Sequence, residues 1–241
     1  MARTAAEVVK LAGSADSLDA VDARSSVCRT CPRLVAWREE AAANPPRRYA
    51  GERYWARPLP GFGDPQARVL IVGLAPAAHG GNRTGRIFTG DRSGDFLFAG
   101  LHRVGLANQA ESIHSGDGLK LQGAYMVAAV RCAPPANLPT PEERGNCSEW
   151  LEREVALLPD IHVVLCLGGF AWESALRLRA SLGGTVTRPK PKFGHGVVAD
   201  GEPWPLLGCF HPSQQNTFTG KLTPDMLDAV LTQAKDLAWG A

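Results

Sequence analysis

The chain has 241 residues, with 26 Lys and Arg against 24 Asp and Glu, for a formal net charge of +2. Hydrophobic residues make up 44% and charged residues 21%, which excludes a disordered or low-complexity chain. No run of about 18 apolar residues occurs, so no membrane association is expected. The N-terminus lacks the apolar block of a signal peptide, so a reducing, cytoplasmic setting is expected.

Residues 1–24 read as a helix or frayed tail. Residues 28–57 hold a Cys-x-x-Cys and then a basic, proline-containing stretch, "NPPRRYAGERYWARP". Four apolar runs follow: "ARVLIVGLA" (67–75), "AYMVAAVRC" (124–132), "IHVVLCLGG" (161–169) and "PLLGCF" (205–210). Helical patterns separate or follow them. "SGDFLFAGLHRVGL" carries apolar residues at helical spacing. "TPEERGNCSEWLEREVALL" opens with Thr140 as N-cap, Pro141 at the first helical position and Glu143 in the first turn. "FAWESALRLRASLG" is amphipathic and stops at glycine, and "TPDMLDAVLTQAKDLAWG" repeats the Thr-Pro start and glycine stop. Near-continuous apolar strands alternating with helices predict one α/β domain, a three-layer α/β/α sandwich around a mainly parallel four-stranded sheet. Ligands of such sheets bind beyond the strands' carboxyl ends, where the irregular loops 75–91, 132–139 and 211–222 fall.

Two of the six cysteines, Cys166 and Cys209, lie inside apolar runs and are expected to pack as buried hydrophobes. Cys28 and Cys31 form "CRTC", Cys132 ends a strand in "RCAPP", and Cys147 lies fifteen residues later on a helix. Four thiolates from two distant pairs suit a tetrahedral metal or an iron–sulfur cluster. A reducing compartment disfavours disulfides. The second pair lacks the tight spacing of a zinc ribbon, which favours a cluster without deciding it.

Residues 73–91, "GLAPAAHGGNRTGRIFTGD", leave a strand as a glycine-rich loop. The loop lacks the lysine of a phosphate-binding P-loop, and Pro76 removes a backbone donor. It offers instead a shelf of small residues, an aromatic at Phe88 and a carboxylate at Asp91. Asp91 is placed either to cap the next helix or to face a ligand at the sheet edge. The last loop, "FHPSQQNTFTGKLTP", sets His211 at a strand end, followed by polar groups suited to phosphates and by Phe218 as a wedge.

Together these residues resemble the uracil-DNA glycosylase superfamily, and within it the iron–sulfur-containing family 5, or type b. Three features carry the resemblance: "GLAPAAHGGNRTGRIFTGD", the His-Pro-Ser loop "HPSQQNT", and the pattern Cys28, Cys31, Cys132, Cys147 with its "RCAPPANLPTPEE" context. The related family 4 carries an acid early in the first motif and an asparagine four residues before the third cysteine. Here the first stretch has no acid or amide, and Ala128 stands at the second position.

The resemblance implies a DNA-repair glycosylase that flips uracil, and other deaminated or damaged bases, out of DNA and hydrolyses the N-glycosidic bond. It implies a 4Fe–4S cluster on the four cysteines, with a structural role. A monomer acting on DNA at the nucleoid is expected. Asp91 is assigned as the carboxylate beside the sugar and His211 as the donor to the departing base. Phe88 would stack on the base, with Gly73, Ala75 and Ala77 lining the pocket and Asn137 reading the base. His79, Arg83, Arg86, Arg92, Ser213, Gln214, Gln215 and Asn216 are the expected DNA contacts. The rival readings are a non-enzymatic metal-containing DNA-binding module, with Asp91 only a helix cap, and a glycosylase preferring hypoxanthine or another lesion.

Overall fold

The computed structural model describes residues 1–240. The four apolar runs form parallel strands: β2 (Val69–Gly73), β3 (Ala124–Ala128), β4 (Val163–Leu167) and β6 (Leu206–Cys209). Every residue of these strands is buried, as expected of a sheet covered on both faces. Leu70 pairs with Tyr125 on one side and Val164 on the other, which fixes the central register.

The sheet is larger than the four strands expected. Two short antiparallel strands, β1 (Phe62–Gly63) and β5 (Val198–Ala199), close its edges and give the order β1-β3-β2-β4-β6-β5. Each has two residues, too few to show any period in sequence.

Side chains alternate across the sheet, so successive residues enter different cores. Val69 and Ile71 pack with α5 (Arg92–Arg103) and α9 (Pro224–Trp239) through Leu97, Phe98, Leu227 and Leu231. Leu70 and Val72 pack with α6 (Pro141–Ala156) and α7 (Gly169–Ser181) through Leu151, Val155, Trp172 and Leu176. This is the expected three-layer sandwich. Each such side chain, once buried, contributes about 1.5–3 kcal/mol. Cys166 and Cys209 are fully buried, as expected.

The first 25 residues form two helices rather than a frayed tail, α1 (Ala5–Gly13) and α2 (Leu18–Ser25). Thr4 caps α1 in a capping box with Glu7, and Ser17 caps α2. Val8, Ala12 and Val21 bury against Trp150 of α6. Next comes α3 (Pro32–Ala43), whose N-cap residue is Cys31. No helix among the described residues is long and apolar enough to cross a membrane.

Candidate active site

The strand ends place the site. After β2 the chain crosses a four-residue helix, α4 (Gly81–Thr84), and reaches Phe88 at φ 49°. A bulky residue in this left-handed region is strained, by a cost on the order of 1–3 kcal/mol. The turn lays the Phe88 ring against Gly73, where a Cβ would approach the ring to 2.9 Å. On its other flank the ring centroid lies 5.9 Å from His211. Gly73, Phe88 and His211 thus form one corner at the carboxyl ends of β2 and β6. Burial lowers the His211 pKa to about 4. The imidazole is therefore neutral near pH 7 and retains one N–H to donate.

Asp91 begins α5 as its N-cap, and its Oδ1 accepts from the Gly94 amide at 2.9 Å. Capping does not exhaust the carboxylate. Asp91 also lines an open cleft of about 670 Å³ together with Ala77, His79, Arg83, Asn137 and Gln214. Gly80 makes this possible, since a Cβ there would collide with Oδ2 of Asp91. Burial raises the Asp91 pKa above the ordinary carboxylate value, partly offset by the amides of Gly94 and Ser93.

Asn137 reaches the cleft from a 3-10 turn in which Ala136 and Asn137 both have positive φ, 53° and 56°. Asparagine tolerates that conformation well. Ala75 is half-buried on the loop after β2 and does not line the cleft. His79 is held by Tyr54, whose hydroxyl lies 3.0 Å from Nδ1.

The arginines divide. Arg92 is exposed at the cleft, 5.3 Å above the Phe218 ring, with Phe218 itself 66% exposed. Arg83 also lines the cleft, but its guanidinium is engaged by Glu52 at 2.6 Å, the His79 carbonyl and the Gly90 carbonyl. Arg86 is not a surface residue. Its guanidinium is buried and bound by both oxygens of Asp117, by Ser112 and by Thr89. The expectation that Arg86 holds a DNA phosphate is therefore corrected: it braces the loop that carries Phe88 and Asp91.

In the last loop, α8 (Gln214–Phe218) is capped by Ser213, and the Asn216 amide donates to the His211 carbonyl at 2.8 Å. Asn216 thus fixes the backbone of His211. Gln214 and Gln215 keep exposed side chains.

Cys28, Cys31, Cys132 and Cys147 line one small cavity with Leu34, Pro58 and Trp150. All four are free thiols. Among the described residues no three His, Cys, Asp or Glu side chains converge on a single-ion position. Burial pushes Cys132 to about 11 and Cys147 to about 12. Arg38 donates to the Cys132 sulfur at 2.9 Å and to the Cys28 carbonyl at 3.1 Å. This buried guanidinium has no carboxylate partner among the described residues. A buried cation demands compensating negative charge; burial disfavours it on the free thiols, so the sulfurs would carry it only as thiolate ligands of a bound metal or cluster.

Residues 60–235 match the family described as "Uracil DNA glycosylase superfamily". A type-5 uracil-DNA glycosylase of Mycobacterium tuberculosis is 57% identical over 230 residues, covering 95% of this chain and 84% of that protein. One of Thermus thermophilus is 52% identical over 217 residues, covering 88% of this chain and 94% of that protein. The chain belongs to the type-5 family of the uracil-DNA glycosylase superfamily. A type-4 enzyme of Archaeoglobus fulgidus is more distant, 30% identical over 157 residues and covering 64% of this chain and 70% of that protein.

For this type-5 glycosylase chain, sequence reasoning missed several residues. Trp37 and Tyr49 line the cleft from the N-terminal third of the chain. The preceding residue of Tyr49, Arg48, lies 4.7 Å from its ring and belongs to the basic stretch noted above. Asn82 donates from the first motif to the Arg38 carbonyl at 3.2 Å, linking that motif to the thiol cavity. Only the aromatic content of "RRYAGERYW" gave any sequence signal for these positions.

Proposed function

We propose that this chain hydrolyses the N-glycosidic bond of uracil in DNA, leaving an abasic site. The observation that carries the reading is the His211–Phe88 pair at the carboxyl edge of the sheet, with Asp91 three residues after Phe88 in the chain. A half-buried carboxylate faces an open cleft, while a neutral imidazole lies against an aromatic ring.

The flipped base would stack on Phe88, and Gly73 lets that ring close on the sheet. As the bond between the sugar C1′ and the base nitrogen breaks, positive charge develops on the sugar and negative charge on the base. The ionised carboxylate of Asp91 stabilises the first and orients water for attack at C1′. The N–H of His211 donates to the base oxygen and stabilises the second. Water adds its oxygen to C1′, and one of its protons is released as the base anion takes up a proton. A neutral donor suits this step, because it stabilises an anion without first giving up its proton to solvent.

Ala128 and Ala75 offer no polar group to the base, which favours a wider base range than uracil alone. Asn137, which lines the cleft, is our candidate to read it.

Cys28, Cys31, Cys132 and Cys147 fit a 4Fe–4S cluster: four free thiols share one cavity, and a buried guanidinium stands beside them. Bound there, the cluster would supply a cross-link between the N-terminal segment and the strand and helix bearing Cys132 and Cys147. Incubation with a uracil-containing labelled duplex, followed by alkaline cleavage, is expected to cut at the uracil position, and an intact strand would refute the glycosylase reading. Metal and acid-labile sulfide analysis of the anaerobically purified protein is expected to give four iron and four sulfide per chain, and one zinc instead would refute the cluster.

A further inference from the structure

Residues 187–196, "TRPKPKFGHG", are not used by the mechanism above. Arg188, Lys190 and Lys192 alternate with Pro189 and Pro191 and are all exposed. None of the three forms an ion pair among the described residues. No carboxylate occurs in sequence between Glu173 and Asp200, although the whole chain is nearly neutral. The prolines restrict the backbone, so less entropy is lost when the cations are held in place.

This strap is anchored rather than loose. The Trp172 indole donates to the Pro191 carbonyl at 3.0 Å. Phe193 packs edge-on against Trp172 and lies 6.3 Å from the Phe210 ring. His195 stacks on Phe210 at 4.9 Å, and its Nδ1 accepts from the Phe210 amide at 3.1 Å. Phe210 is the residue before His211. Lys221, also exposed, lies 5.0 Å from the same Phe210 ring on the chain that leaves the His211 loop. The strap therefore adjoins the segment that carries the catalytic donor.

We propose that the strap 188–192 is a second DNA-contact surface, which holds phosphates of the DNA backbone beyond the flipped nucleotide. The proposal rests on the glycosylase reading, since that reading brings DNA across the carboxyl edge of the sheet. Five residues span at most about 14 Å between their ends. One strand of B-DNA presents about four phosphates over that length. Point charges on flexible stems suit phosphates without reading sequence. The surface thus contributes affinity and register, while base choice stays with the pocket.

The test is a triple variant of the full chain, Arg188→Ala with Lys190→Ala and Lys192→Ala. Binding to an undamaged duplex of about 30 base pairs is measured by anisotropy at several salt concentrations. Binding is expected to weaken, with Kd about 10-fold or more higher near 0.1 M salt and the magnitude of the slope of log K against log salt reduced by about 2–3. The single-turnover excision rate at saturating uracil DNA is expected to match the native chain. Lys190→Glu, one exposed change, is expected to weaken binding further than Lys190→Ala. A Kd and salt slope equal to the native values would overturn the proposal, even with excision intact. Failure of the glycosylase reading looks different, because the native chain itself would leave uracil DNA uncut.

Discussion

The cleft and the thiol cavity share α3 and the segment after β3, yet they are built on opposite physics. Adjacent residues of one helix serve them: Trp37 lines the cleft and Arg38 reaches the Cys132 sulfur. The cavity is closed by buried charge. Arg131 pairs with Glu154 and, at 3.4 Å, with Asp22, and it also donates to Ser25 and Leu59. Burial and the neighbouring Glu154 push the Asp22 pKa up to about 7. The cleft has no such buried pair, its Arg83 pairing with the exposed Glu52. Asp91 lines it with no cation paired to its carboxylate among the described residues, and at the neighbouring corner His211 is neutral and Phe88 is held in a strained turn. Charge is neutralised where the fold must be locked and left available where a substrate must be met.

The sharpest way to break that comparison is at Asp91. Asparagine caps a helix as well as aspartate, so Asp91→Asn keeps the cap and removes only the charge. Excision of uracil under single turnover is expected to fall by about 10²–10⁴-fold. Stability is expected to hold or rise at pH 7. The raised pKa means that folding disfavours the ionised form, and this cost grows as pH rises from the unfolded value through the folded one. A near-native rate in Asp91→Asn would reduce the residue to a cap.

On the cavity side, Arg131→Met strands Glu154 and Asp22 without their cation. Denaturant unfolding is expected to show a loss of about 3–5 kcal/mol. A change under about 1 kcal/mol would mean that the network is not what locks the unit.

His211→Ala is expected to slow excision by about 10²–10³-fold with DNA affinity little changed. The pH profile sharpens the point. A His211 pKa near 4 leaves the imidazole neutral across the neutral range, so the acid limb of kcat/KM should follow ionisation of Asp91. Activity should rise with pH through the raised Asp91 pKa, and His211→Asn should leave that limb in place. A limb near pH 6.5 that vanishes in His211→Asn would show a titrating histidine instead.

The smallest effect is expected at Asn137, whose side chain is exposed on the cleft wall. Asn137→Ala is expected to change the ratio of kcat/KM for uracil over hypoxanthine by about 10-fold, the scale of one hydrogen bond. An unchanged ratio would remove Asn137 from base reading.

Much of the fold was legible because its signals are local. Apolar runs without alternation marked β2, β3, β4 and β6, and Thr140, Pro141 and Glu143 marked the start of α6 as the capping box now seen. The edge strands β1 and β5 were illegible, since two residues carry no period and pair only because a neighbouring strand offers free groups. The helix at Thr4 was less visible for another reason: its stability comes from Trp150, far away in sequence.

The site was partly legible. Residue types and the loops after the strands pointed to Phe88, Asp91 and His211 as candidates, because a doubly covered parallel sheet binds ligands at one edge. The arginines were not. Arg86 lies in the first motif and Arg92 directly after it, yet one is buried on Asp117 and the other is exposed beside Phe218. Sequence alone determined which groups the chain owns and, through local pattern, which elements carry them. Tertiary structure decided which groups remain free to act, because that depends on the partners and water each one meets after the chain has packed.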